Sequence, residues 1–130
     1  MLGTSVCKVL ASERYEIFGA ARKWGPILKK EHQFQGDLAD SVFVKELLKA
    51  VKPEVIIHCA AIVNVDECET NKQLADDVHI KATSELASYN HGRVKFIYIS
   101  TDSVFDGAVG NYSEVDSPRP INYYALSKRE

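Results

Sequence analysis

The spacing of apolar residues predicts helices that alternate with short strands. The stretch DSVFVKELLKAVKP (40–53) predicts an amphipathic helix that Asp40 or Ser41 caps and Pro53 follows. Its predicted apolar stripe comprises Val42, Leu47, Leu48 and Val51. A longer helical pattern covers about Asn71 to Asn90 and ends at His91 and Gly92. Its apolar positions are Leu74, Val78, Ala82 and Leu86.

Two nearly continuous apolar runs, EVIIHCAA (54–61) and VKFIYIS (94–100), are typical of strands buried on both faces. RYEIFGAA (14–21) and HQFQGDL (32–38) predict two further strands, and helices are predicted near 4–12 and from about Asn122. Strands that alternate with helices indicate right-handed crossovers and a parallel sheet. The sequence therefore predicts a doubly wound, Rossmann-like α/β fold, with 1–130 as one partial domain.

Composition excludes several classes of function. The 130 residues include 26% charged and 45% hydrophobic residues, and the net charge is -2, so neither nucleic acid nor an acidic membrane is indicated as a partner. No apolar run approaches the roughly 20 residues that span a bilayer, and no signal peptide is recognisable. Three cysteines without CxxC spacing suggest neither a disulfide framework nor a zinc site. The expected location is the reducing cytoplasm.

Candidate chemistry lies where the predicted strands end, because ligands of open α/β sheets bind beyond the carboxyl ends of the strands. One strand ends in the small residues Cys59, Ala60 and Ala61, which would let a flat ring or a ribose approach the backbone. The next strand ends in Ser100, Thr101 and Asp102, which supply two hydroxyls and a carboxylate. Tyr124 and Lys128 follow four residues apart, on one face of the last predicted helix.

A Tyr–Lys pair suits the reduction of a ketone, which needs hydride on carbon and a proton on oxygen. Tyrosine has a reference pKa of about 10, and a nearby ammonium stabilises its phenolate. Thr101 could donate a second hydrogen bond to the same oxygen, and Asp102 could orient a sugar hydroxyl or relay a proton. A lone match to this spacing would indicate only a solvated helix face. The order of the three sites along the chain is what favours catalysis.

The strings PEVIIHCAA, YISTDSVFDG and PRPINYYALSK resemble the extended short-chain dehydrogenase/reductase superfamily. Within it the chain is similar, from Gly3 to its end, to the dTDP-4-dehydrorhamnose reductase family, which includes the regulatory beta subunit of methionine adenosyltransferase. The resemblance implies an NAD(P)-binding Rossmann domain with Thr101, Tyr124 and Lys128 as catalytic positions. It also implies that Lys128 holds the nicotinamide ribose and that residues 59–61 line the cofactor.

The same resemblance assigns further cofactor positions. Gly3 matches the last glycine of the family's glycine-rich loop, and Asp37 matches an acidic residue near the adenine, although a turn aspartate is the alternative. Arg22 matches a cation at the 2′-phosphate of NADP, with an ordinary exposed arginine as the alternative. NADP is therefore the expected cofactor, and NAD remains possible. His79 stands where relatives commonly have Asn, and a packing or surface histidine is the favoured interpretation.

Three functions fit the resemblance. The first is an NADPH-dependent reductase of a 4-keto nucleotide sugar, and the second is a regulatory subunit that binds the catalytic subunit of methionine adenosyltransferase. An epimerase or dehydratase of nucleotide sugars is the third. The central first strand and the C-terminal sugar-binding region of the family are missing from the match, so we expect a gap between the RYEIFGAA and EVIIHCAA strands. Such a chain is expected to be a fragment that is unstable and inactive alone.

Overall fold

The computed structural model describes residues 2–13, 15–23, 28–89 and 93–130. Its helices are α1 Leu2–Leu10, α2 Ser41–Val51, α3 Val65–Thr70, α4 Lys72–Asp76, α5 Ala82–Ser88 and α6 Tyr123–Arg129. A π-helical turn, Asp77–Lys81, joins α4 to α5, and short 3₁₀ helices cover Lys30–His32 and Asp102–Val104. The strands are β1 Gly19–Ala21, β2 Gln33–Gln35, β3 Val55–His58 and β4 Lys95–Tyr98.

The four strands form two parallel pairs. β1 pairs with β2 in the register Ala20↔Phe34, and β3 pairs with β4 in the register His58↔Tyr98. Among the described residues no strand hydrogen bond joins one pair to the other, as the expected gap requires. The parallel pairing, with α2 between β2 and β3 and α3 to α5 between β3 and β4, confirms the Rossmann-like α/β fold class.

Helix α2 begins and ends through local backbone chemistry. The Asp40 carboxylate accepts hydrogen bonds from the amides of Val42 at 2.9 Å and Phe43 at 3.4 Å, which confirms the predicted cap. The helix ends at Val51, and the residue that follows it, Lys52, adopts a left-handed conformation with φ of 48°.

The predicted apolar stripe of α2 is wrong at its first position. Val42 is 62% exposed, whereas Val44 and Leu48 are buried and pack with Leu86 of α5. Two residues correspond to a rotation of roughly 200° around a helix, so Val42 and Val44 lie on nearly opposite faces. The adjacent apolar residues gave two possible stripes, and packing against α5 selects the one that contains Val44.

Burial of β3 and β4 on both faces is also not observed in the described residues. Ile56 and Phe96 face the α2–α5 core, but Val55 and Ile97 on the opposite face are 49% and 37% exposed. Side chains alternate between the faces of a strand, so one face of this pair is covered by helices and the other is only partly covered. The predicted burial on both faces is therefore wrong for this strand pair.

The predicted long helix is divided into α4, the π turn and α5, and α3 precedes it where no helix was predicted. Leu74 and Val78 pack against a second cluster formed by Ile62, Cys68 and Ala75, and Tyr124 of α6 joins the same cluster. The predicted end at His91 and Gly92 lies outside the described residues. No described helix has the length and apolarity needed to cross a membrane.

Removing the α2 cap should lower stability. We expect Asp40→Ala to reduce the free energy of unfolding by about 1 kcal/mol, because two amide donors lose their acceptor. Asp40→Asn keeps an acceptor at the same place and should stay within a few tenths of a kcal/mol of wild type. Denaturant unfolding of the full-length protein measures the free energy of unfolding of both variants. Equal losses in the two variants would contradict the capping role.

Candidate active site

The carboxyl ends of β3 and β4 lie side by side and bring the two predicted strand-end sites together. His58 pairs with Tyr98, and the Ile99 amide donates to the His58 carbonyl at 3.3 Å. Residues 59–61 and 100–102 therefore leave the sheet at the same edge. At the start of α1, a Cβ on Gly3 would stand 3.5 Å from Cys59 Cβ. Gly3 and residues 59–61 thus form a wall of small side chains.

Helix α6 carries the predicted Tyr–Lys pair to this edge. Asn122 caps the helix by accepting a hydrogen bond from the Ala125 amide at 2.8 Å. The Lys128 side chain is buried, its Nζ donates to the Ile99 carbonyl at 2.7 Å, and Nζ lies 3.8 Å from the Tyr98 ring centroid. These contacts place the Lys128 amine beside the end of β4. Burial lowers the Lys128 pKa from 10.5 to about 8.

Tyr124 packs beside the buried end of this helix. Its ring meets the His79 ring edge-on, with centroids 5.7 Å apart and planes at 80°. Within the described ranges its hydroxyl makes no hydrogen bond to Lys128, Thr101 or any other side chain. The structure thus places Tyr124 and Lys128 on one helical turn at the strand ends without joining their polar atoms.

Thr101 and Asp102 begin the 3₁₀ helix that packs against α6. Thr101 Oγ1 accepts a hydrogen bond from the Ser103 amide at 3.2 Å and lies 3.4 Å from Asp102 Oδ1. The Thr101 oxygen therefore caps the turn, and its proton is directed to the exposed Asp102. Ser100, which precedes them, is exposed at the same edge.

Arg22 and Asp37 follow the carboxyl ends of the neighbouring strands β1 and β2. Asp37 Oδ1 accepts a hydrogen bond from the Ala39 amide at 3.0 Å, as a turn aspartate does. Arg22 has an exposed side chain, and its carbonyl accepts from Gln35 Nε2 at 3.2 Å. Both side chains are thus brought to one end of the β1–β2 pair, and their contacts with a cofactor remain predictions.

His79 is a packing histidine, 2% exposed, and both of its ring nitrogens have partners. Nε2 accepts a hydrogen bond from the Ile62 amide at 2.9 Å, and Nδ1 lies 2.8 Å from Ser127 Oγ. Burial, followed by the Lys128 charge, lowers the His79 pKa to about 4. Sequence reasoning missed Ser127, whose only signal was a polar residue between Tyr124 and Lys128.

His58, the last residue of β3, is a second buried histidine. Its ring stacks on Tyr98 with centroids 5.6 Å apart, and its Nε2 has no hydrogen-bond partner among the described residues. The His58 pKa is lowered to about 4, mainly by burial and next by the Lys128 charge. Both histidines near the buried Lys128 amine are therefore neutral at physiological pH.

Comparison with known proteins identifies the family. Residues 1–130 match the family model described as the RmlD substrate binding domain. The chain belongs to this family. It is 37% identical over 131 residues to the probable low-salt glycan biosynthesis reductase Agl14 of Haloferax volcanii, covering 98% of this chain and 43% of that protein. It is 33% identical to the methionine adenosyltransferase 2 subunit beta of Danio rerio, covering 100% of this chain and 39% of that protein.

Among solved structures, the chain resembles the dTDP-4-dehydrorhamnose reductase of Bacillus anthracis in complex with NADP. The two are 32% identical with a TM-score of 0.68, and the match covers 78% of this chain and 40% of that one. The chain thus spans about two fifths of the length of the curated relatives it matches. The predicted family and its reductase relatives are confirmed.

The buried amine should make stability depend on pH in a defined window. Folding lowers the Lys128 pKa from 10.5 to about 8, so the folded state disfavours the charged form. Relative to Lys128→Met, wild type should gain free energy of unfolding as pH rises from about 8 to about 10.5, by up to about 3 kcal/mol.

Denaturant unfolding of the full-length protein across this pH range measures the difference. Lys128→Arg is the matched control, because a guanidinium keeps its charge throughout the window. The profiles of Lys128→Arg and Lys128→Met should run parallel to each other. A wild-type profile parallel to both would show that the amine is not buried.

Proposed function

We propose that this chain is the partial dinucleotide-binding domain of an NADPH-dependent reductase, which reduces the keto group of a 4-keto nucleotide sugar. One observation carries the proposal: α6 holds Tyr124 and the buried Lys128 one turn apart beside the carboxyl ends of β3 and β4. Family membership and the reductase relatives support the same reaction class. By itself the 130-residue chain should be unstable and without turnover.

The residues present fit a dinucleotide. Gly3 and residues 59–61 offer a wall of small side chains that a flat ring can approach closely. Arg22 offers a guanidinium for a 2′-phosphate at the end of β1, and the Bacillus anthracis relative was solved with NADP. When bound, NADPH supplies the hydride that the carbonyl carbon receives.

The chain's own residues would supply the proton and the orientation. The Tyr124 hydroxyl donates its proton to the substrate oxygen, and the Lys128 cation favours the resulting phenolate. Lys128 uses one N–H on the Ile99 carbonyl, which leaves two donors for the tyrosine oxygen and a ribose hydroxyl. The Thr101 hydroxyl, which now faces Asp102, would turn its proton to the substrate oxygen. Asp102 would then accept from a sugar hydroxyl.

A regulatory subunit of methionine adenosyltransferase is the second candidate. The whole of this chain matches part of the Danio rerio beta subunit. The string IIHCAA favours this candidate slightly, because the resemblance to the reductases would lead us to expect Asn in place of His58. In this case the fold would bind NADP and the catalytic subunit without turning over a sugar.

Removing the proposed acid should slow turnover strongly without unfolding the protein. We expect Tyr124→Phe to lower kcat/KM by about 10²–10⁴, because no other group donates the proton. Tyr123→Phe is the matched control, since that hydroxyl donates to the Asp76 carboxylate at 2.9 Å and has no proposed role in proton transfer. The full-length protein is assayed with NADPH and a dTDP-4-keto-6-deoxy sugar. A stable complex with the methionine adenosyltransferase catalytic subunit, without turnover, would replace the reductase by the second candidate.

Arg22 should select the phosphorylated cofactor. We expect Arg22→Ala to raise the KM for NADPH by about tenfold or more and to leave the KM for NADH nearly unchanged, because only NADPH carries the 2′-phosphate. Arg22→Lys keeps the charge but loses the bidentate fork, so its KM for NADPH should fall between those of wild type and Arg22→Ala. Steady-state kinetics with each cofactor measure the effect. Equal changes for both cofactors would show that Arg22 does not contact the 2′-phosphate.

A further inference from the structure

We propose that His79 is a positioning residue that fixes the spacing between the wall of small residues at 59–61 and the helix that carries Tyr124 and Lys128. His79 lies in the π turn between α4 and α5, yet its two ring nitrogens bond to two other segments. One is the loop that follows β3, at Ile62, and the other is α6, at Ser127. These two hydrogen bonds make a bridge from Ile62 through His79 to Ser127. The effect of this bridge on turnover rests on the proposed function, whereas the bridge itself does not.

The hydrogen bonds fix one tautomer of the ring from both ends. The Ile62 amide can only donate, so Nε2 must be unprotonated and accept. The Ser127 hydroxyl spends its proton on the Tyr124 carbonyl at 3.0 Å, so its oxygen must accept from Nδ1–H. The two ends agree, and every polar atom of the bridge is satisfied.

The bridge is buried and contacts both elements whose relative position it would fix. His79 and Ser127 are each 2% exposed, and the His79 ring also touches the Tyr124 ring at 5.7 Å. It therefore contacts α6 through Ser127 and through the proposed acid itself. The Ile62 end lies one residue beyond the wall of small residues. The π turn supports this interpretation, because such turns occur frequently at functional sites.

His79 holds geometry and does not transfer a proton. Protonation of Nε2 would direct an N–H at the Ile62 N–H, and it would add a charge near the buried Lys128 amine. The neutral ring is thus the only form compatible with both partners. A small displacement of α6 would change the distance from the Tyr124 hydroxyl to a substrate oxygen, to which proton transfer is sensitive.

Three substitutions separate the two ends of the bridge. His79→Asn keeps a donor near the Nδ1 position, His79→Gln keeps an acceptor near the Nε2 position, and His79→Leu removes both. In the full-length protein we expect His79→Leu to lower kcat by about a hundredfold while the Kd for NADPH stays within about threefold. His79→Asn and His79→Gln should each keep part of the kcat that His79→Leu loses. His32→Leu, on the β1–β2 half, is the control. An unchanged kcat in His79→Leu would overturn the positioning role.

Two measurements decide the bridge independently of turnover. In ¹⁵N-histidine spectra of the full-length protein, His79 should show a protonated Nδ1 and an unprotonated Nε2, with His79→Asn identifying the signal. In hydrogen exchange, His79→Leu should increase exchange in residues 60–64 and 121–130 together, whereas Ser127→Ala should affect only the latter. The opposite tautomer, or changes confined to α4 and α5, would overturn the inference. A wild type without turnover would remove the reductase proposal and leave these two results standing.

Discussion

The burial of the Lys128 amine is the constraint on which the rest of the site depends. A buried ammonium costs several kcal/mol unless its donors are paired, and here the Ile99 carbonyl and the Tyr98 ring partly replace water. Both partners belong to the end of β4, so the cation attaches α6 to the strand edge. The same burial lowers the Lys128 pKa from 10.5 to about 8.

The groups around this amine are those that a buried cation tolerates. His58 and His79 both have pKa values lowered to about 4, so neither adds a positive charge. Burial raises the pKa of the Cys59 thiol despite the nearby Lys128, so Cys59 remains protonated. A neutral thiol suits a wall of small side chains better than a reactive thiolate does. The electrostatics of the strand ends thus follow from one cation and its uncharged neighbours.

Features encoded locally were predictable from the sequence, and features made by distant contacts were not. Asp40 and Asn122 indicate in the sequence where their helices begin, because a cap acts within three residues. The exposure of Val42 depends on which stripe α5 covers, and periodicity alone does not decide that. The partners of His79 lie 17 and 48 residues away, and the acceptor for Lys128 is a backbone carbonyl that carries no residue identity. The resemblance named the site residues, but only the fold shows how they are held.

The Tyr124–Lys128 pair has two separable parts. Lys128 serves packing as well as chemistry, because its contacts with Ile99 and Tyr98 fasten α6 to β4. A relative that only binds partners would therefore have a physical reason to keep this lysine. The Tyr124 ring also packs, against His79, but its hydroxyl makes no hydrogen bond in the described part of the chain. Packing therefore explains the Lys128 side chain and the Tyr124 ring, whereas the proton donation proposed for the Tyr124 hydroxyl does not depend on these contacts.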